Sequence, residues 1–165
     1  VGIVVRDIAA AKDFYTRLFG IKKWYELQYD NGIDLYYHEN KSNCNVKLYF
    51  GGKGHTTIEL IETSGEDNIY TNFLKNHGEG IHHIQYDVKC LDCAISAAKA
   101  EGLSVFQHAE FSTGGAKVRY AYVGKTEDGV IYELIESTIG GVIKKFDMPF
   151  EFKMGSLTGS YKVVK

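Results

Sequence analysis

Cysteine is scarce in this chain: only Cys44, Cys90 and Cys93 occur in 165 residues. A sparse, odd count argues against a disulfide framework and for a reducing compartment, the cytoplasm. Cys90 and Cys93 form a C-x-x-C pair, but one such pair cannot close a tetrahedral zinc site. No thioredoxin-like βαβ context surrounds it, so the pair reads as two small residues at the start of a helix. Charge of one sign is nowhere concentrated, and the formal net charge is -2. Without a basic block, neither nucleic acid nor an anionic membrane surface is an expected partner. No apolar run reaches the ~18 residues of a spanning helix. No charged leader is visible, so a secretory signal is not expected. The sequence opens at Val1-Gly2-Ile3, inside an apolar strand pattern, and residues are expected to precede it.

What is present fits one ordinary globular domain: 44% of residues are apolar and 24% charged, a balance that supports a hydrophobic core at this length. The main organisational signal is an internal repeat. Val1 to Ile8 and Ile84 to Leu91 are each an apolar strand followed by a polar turn. An alanine-rich helix follows each, Ala9 to Leu18 and Asp92 to Ala100, with Gly20 and Gly102 as left-handed stops. Asp7 is placed to cap the first helix. Each copy closes on the same string: Glu59-Leu60-Ile61-Glu62 and Glu133-Leu134-Ile135-Glu136.

Each half therefore reads as strand, helix and three strands. The expected strands are Leu35 to His38, Val46 to Phe50 and Thr56 to Ile61, then Ser104 to His108, Lys117 to Val123 and Val130 to Ile135. Gly51-Gly52 with Gly54, and Glu127-Asp128-Gly129, are turn signals. The polar stretch Glu39 to Asn45 accounts for the extra length of the first half. The fold class is α+β: two tandem βαβββ modules forming a cupped mixed sheet with helices outside. Module one spans 1–62, a connector helix 67–77 and module two 81–137, together one domain over 1–137. The tail, 138–165, holds the only proline, Pro149. Alternation in Pro149 to Met154 and Ser160 to Val164 permits a hairpin there.

Strands turn alternate side chains to opposite faces. Glu59 lies between Ile58 and Leu60, and Glu133 between Tyr132 and Leu134, in matching places. A buried carboxylate is costly unless paired or bound to a cation. The repeat puts both on the cup floor, where they would repel each other without a divalent ion. The solvated alternative fits Glu62 and Glu136 better, three residues on and facing the other way. His83 opens the strand of the second module, and its repeat mate is the position just before Val1. His82 beside it lacks that register. His38, His55, His77 and His108 have no partner in register and read as surface or satisfied histidines. Two carboxylates and one or two imidazoles suit Zn²⁺, Ni²⁺, Co²⁺, Mn²⁺ or Fe²⁺.

The opening Val1-Gly2-Ile3-Val4-Val5-Arg6-Asp7-Ile8, with Phe14-Tyr15 and Leu18-Phe19-Gly20-Ile21, resembles glyoxalase-like proteins. Gly78-Glu79-Gly80-Ile81-His82-His83-Ile84 resembles the second module of methylmalonyl-CoA epimerases. The sequence is thus similar to the glyoxalase, or vicinal-oxygen-chelate, superfamily over residues 1–137. The resemblance implies metal ligands at Glu59, His83 and Glu133, with a histidine directly before Val1. It also implies two open metal positions that chelate neighbouring oxygens of a small-molecule substrate, and a homodimer. The implied chemistry is enediolate stabilisation in a lyase, isomerase or epimerase, such as lactoylglutathione lyase or methylmalonyl-CoA epimerase. Glu133 is the first candidate for the base and Glu59 the second. The longer stretch Tyr25 to Asn45 departs from the epimerases and counts against a CoA thioester. Tyr36, Tyr49, Tyr120 and Tyr122 are candidates to line the cup, and Arg119 to meet a substrate anion. Two alternatives stay open. One is an extradiol-type dioxygenase, against which Glu59 argues. The other is a non-catalytic drug-binding protein of the bleomycin-resistance type, which typically lacks this ligand set.

Overall fold

The structure, a computed structural model, describes residues 1–27, 32–53, 56–144 and 150–164. The turn residue Gly54, His55 and Pro149 lie outside them. In chain order the elements are β1 (Gly2–Val4), α1 (Ile8–Phe19), β2 (Trp24–Leu27), β3 (Asp34–Tyr37), β4 (Asn40–Lys41), β5 (Cys44–Lys53) and β6 (Thr56–Gly65). Then come α2 (Ile69–Asn76), β7 (Gly80–Asp87), α3 (Leu91–Ala100), β8 (Ser104–Thr113), β9 (Ala116–Gly124), β10 (Ile131–Ile139), β11 (Val142–Lys144), α4 (Phe150–Thr158) and β12 (Tyr161–Val164).

The strands form one mixed sheet ordered β12-β2-β5-β6-β1-β7-β10-β9-β8-β3-β4, with β11 on β10. Two four-stranded units, β2-β5-β6-β1 and β8-β9-β10-β7, are mirror orders about the β1–β7 seam. In each unit the strand before the helix runs parallel to the last strand, β1 to β6 and β7 to β10. The seam itself is antiparallel. This is the two-module curled sheet expected from the repeat.

Local chemistry sets the helices. The Asp7 carboxylate accepts the Ala10 amide at 2.9 Å, and Gly20 ends α1 at φ 67°, the left-handed region that glycine enters without a Cβ penalty. Asn68 caps α2, and its carbonyl side chain accepts the Tyr70 and Thr71 amides. One cluster of Ile3, Val5, Ile8, Ile21, Trp24 and Leu60 packs under α1. The other core, with Leu48, Phe50, Tyr120, Tyr122, Ile131, Ile135 and Phe152, fills the cup.

Three expectations change. Leu35–His38 is not the first of three strands in module one; Trp24–Leu27 holds that place, paired with β5. β3 instead crosses to module two and pairs with β8, Tyr36 opposite His108. The tail is not a hairpin. Phe150–Thr158 is helical, and Tyr161–Val164 adds a strand to β2. Alternation over so short a stretch does not separate the two, and burial of Phe152 and Tyr161 against Phe50 decides it. Finally, Cys90 and Cys93 are not free thiols but a disulfide. Cys90 caps α3, so the helical turn brings the two Cα atoms to 5.3 Å, within disulfide reach.

Candidate metal centre

The structure brings Glu59, His83 and Glu133 together. Glu59 comes from β6, His83 from β7 and Glu133 from β10, so both units contribute. His83 Nε2 lies 3.1 Å from Glu59 Oε2 and 3.2 Å from Glu133 Oε2. One ligand atom from each residue falls within 4.8 Å of the others, and all three residues are buried. The register carries the repeat through: Gly2 pairs with Glu59 as Gln85 pairs with Glu133. Two residues before Gln85 is His83; two before Gly2 is the position preceding Val1.

The electrostatics are those of a cation site. Burial opposes charge on His83, but Glu133 and Glu59 outweigh it and lift its pKa to about 9. Burial pushes the Glu59 carboxyl up, with Glu133 adding to that and His83 opposing it. Two carboxylates thus share one proton-bearing imidazole out of water. The imidazole Nε2–H bonds Glu59, and Glu133 Oε2, 3.2 Å from the same nitrogen, is buried with no hydrogen bond of its own. One imidazole nitrogen and two carboxylate oxygens are a donor set for a divalent transition ion, so the residues fit such a group.

The surroundings hold these side chains in place. The β1–β7 register shifts between Gly2 and Ile3, opposite His83 and Ile81, leaving His82 as the extra residue of a bulge. Bulges re-aim side chains beside sites. Here His82 Nδ1 comes 3.0 Å from His83 Nδ1. Burial and the neighbouring His83 hold His82 neutral, with its pKa down at about 2. It can therefore accept the His83 Nδ1 proton, which frees Nε2 for the site. Tyr122, opposite Glu133 on β9, donates its hydroxyl to Glu133 Oε1 at 3.2 Å. Tyr70 on α2 lies 2.8 Å from the Tyr122 hydroxyl. His82, which has no mate in the repeat register, gains its place beside the site only through this bulge.

Other expected residues divide. Tyr120 and Tyr122 line the cup with Leu48, Phe50 and Ile135, whereas Tyr49 packs in the cluster under α1. Tyr36 stacks on His108 at 5.1 Å between centroids. Arg119 does not face the cup. It pairs with Asp92 at 2.7 Å, and with Glu110 and Glu136 beyond. His77 pairs with Asp128 and His38 with Glu127. Glu62 and Glu136 face outward as expected, but neither is merely solvated. Glu62 accepts the Ile8 amide and Glu136 the Leu91 amide, each at 2.8 Å. Each E-L-I-E string thus turns its first glutamate to the site and its second to the first turn of its own module's helix.

The space between Glu59 and Glu133 on the cup side is about 30 Å³, enough for about one water, and a separate cavity of about 350 Å³ borders Glu59 from the side of Val1, Ile84 and Phe152. Tyr120, Tyr122, Phe50 and Phe111 fill most of the cup, and Phe152 of α4 packs on Phe50 at 5.2 Å.

Comparison with known proteins agrees with this architecture. The chain is 27% identical over 138 residues to the uncharacterized protein YqjC of Bacillus subtilis (strain 168), covering 82% of this chain and 89% of that one. It is 28% identical over 138 residues to mitochondrial methylmalonyl-CoA epimerase of Dictyostelium discoideum, covering 82% and 75%. Among solved structures, the hypothetical protein BH1468 from Bacillus halodurans C-125 superposes with a TM-score of 0.57 at 26% identity, covering 81% and 88%. Residues 1–122 match the Glyoxalase/Bleomycin resistance protein/Dioxygenase superfamily. With the mirrored strand order and this match over most of its length, the chain belongs to that superfamily.

Proposed function

We propose that this protein is a metal-dependent enzyme that removes and returns a proton next to a carbonyl, as an epimerase, isomerase or lyase. The observation that carries this reading is the convergence of Glu59, His83 and Glu133 in a buried cluster whose ligand atoms all lie within 4.8 Å of one another. A divalent ion held there supplies Lewis-acid stabilisation of charge developing on a carbonyl oxygen. The chain's own part is to bind and orient. His82 fixes the tautomer of His83, and one of the two glutamates, already at the centre, takes the proton. The aromatic cup excludes water from the reacting carbon. A cavity of about 350 Å³ lined by Val1, Phe50, Ile84, Gln85 and Phe152 opens onto Glu59 and is the route by which a substrate reaches the centre.

The substrate class we favour is a small carbonyl compound with neighbouring oxygens; the 28% identity to methylmalonyl-CoA epimerase keeps a branched acyl thioester among the candidates to test, although Tyr25 to Asn45 departs from those enzymes. The cluster holds two carboxylates and one histidine among the described residues, unlike the two-histidine, one-carboxylate set of non-haem iron oxygenases. Among the described residues, no helix is long and apolar enough to cross a membrane. A cytoplasmic homodimer belongs to this reading, although the Cys90–Cys93 bond weakens the compartment argument drawn from cysteine count.

The test is metal analysis followed by exchange. Purified protein loaded with Co²⁺, Ni²⁺ or Zn²⁺ is incubated in deuterated water with methylmalonyl-CoA, or with the glutathione hemithioacetal of methylglyoxal. Deuterium uptake at the carbon next to the carbonyl, or thioester formation, is expected and is abolished by a chelator or by Glu59→Gln and Glu133→Gln together. Failure to bind any ion stoichiometrically would eliminate the metal enzyme and leave a binding protein.

A further inference from the structure

The two glutamates are equivalent in the repeat but not in their surroundings. On β9 the residue opposite Glu133 is Tyr122; on β5 the residue opposite Glu59 is Phe50. A phenol hydroxyl therefore faces one carboxylate and a bare ring the other. Tyr122 donates its one hydroxyl proton to Glu133 Oε1 and so must accept from Tyr70, 2.8 Å away. Tyr70 comes from α2, the connector helix, which has no counterpart in module two. Both phenols are buried, 1% and 2% exposed, so a turn of Glu133 away from Tyr122 would strand hydroxyls that water cannot reach.

Glu133 is thus anchored by Oε1 from Tyr122 and presents Oε2 toward His83 Nε2, 3.2 Å away. Glu59 is held differently. Its hydrogen bond comes from His83 Nε2, the nitrogen that would serve the ion. Once that nitrogen is a ligand, this bond is gone, and Phe50 offers none in exchange. Resting on the metal reading above, we infer that Tyr122, backed by Tyr70, is a positioning residue that holds Glu133 as the constant ligand and leaves Glu59 as the carboxylate free to swing and act as base. This reverses the order of candidates drawn from the sequence.

The experiment is a pair of double-mutant cycles read by Co²⁺ binding, with calorimetry for affinity and visible absorption for ligand geometry. Wild-type binding tests the metal reading by itself; if no ion binds, that reading and this inference both fall. If it binds, Tyr122→Phe is expected to weaken affinity roughly 10- to 100-fold, the usual effect of losing a partner of a ligand, and to shift the Co²⁺ spectrum. The loss should vanish in a Glu133→Gln background and persist in a Glu59→Gln background. Should Tyr122→Phe not fold, Tyr70→Phe is expected to give a smaller loss with the same dependence on background. Unchanged affinity and spectrum, or coupling to Glu59 as strong as to Glu133, would overturn the assignment while leaving the metal site standing.

Discussion

Gly2 lies under the ring of His83: a Cβ built on Gly2 would stand 2.0 Å from His83 Cε1 and 2.4 Å from Nε2. The glycine makes room for the imidazole to cross β1 toward Glu59. Gly2 is not in the left-handed region, so its role is space rather than backbone freedom. Gly2→Ala is expected to displace the imidazole and weaken divalent-ion binding by roughly 100-fold or more, beyond the loss from a missing partner. Circular dichroism should be unchanged. Calorimetric titration checks this, and wild-type affinity in the variant would show that the ring sits elsewhere.

Ion uptake should release protons. His83 keeps its proton up to about pH 9 in the ion-free protein, and a ligand nitrogen must give it up. Apparent affinity should therefore rise about tenfold per pH unit between roughly pH 7 and 9 and flatten above. For the ion-free fold the sign is opposite. A histidine whose folded pKa lies above its unfolded value of 6.5 contributes stability in full below 6.5 and loses it as pH rises through about 9. Thermal shifts with and without ion, across that range, should diverge; parallel curves would contradict the shared proton.

Phe152 ties the tail to the cup. It is 1% exposed and meets Tyr25, Phe50 and Tyr161. Phe152→Ala should lower stability by about 3–5 kcal/mol in urea titration while leaving ion affinity unchanged, because its ring packs on Tyr25, Phe50 and Tyr161. Loss of ion binding in a folded variant would mean that α4 shapes the centre directly.

Reducing Cys90–Cys93 should cost little. The bond closes a separation of only three residues, so it constrains the unfolded chain by no more than about 2 kcal/mol. Denaturant midpoints measured with and without dithiothreitol, with thiol alkylation to confirm reduction, test this. A large drop would indicate that the bridge holds α3 against the sheet.

Much of this was legible in the sequence because the chain carries two copies of one pattern. The E-L-I-E strings located β6 and β10, fixed which glutamates share a face, and made His83 the choice over five other histidines. Three features were not legible. The bulge at His82 breaks the alternation on which face assignments rest, and bulges have no strong side-chain signature. The placing of β3 against β8 is a long-range pairing, and Leu35–Tyr37 looks like any short strand. The helix over Phe150–Thr158 has no clear apolar period, since its place is set by burial of one aromatic side. The difference between Tyr122 and Phe50 stood in the sequence all along, but it acquires meaning only once the register puts each opposite a glutamate.

Apart from the β3–β4 excursion, the two four-stranded units meet along the short ribbon of β1 and β7, where three residue pairs are in register among the described residues. Glu59 stands on one bank of that join, and His83 and Glu133 on the other. Anything clasped among them rivets the halves together across that short join. A bound ion should therefore raise the stability of the whole sheet and not only of its own pocket.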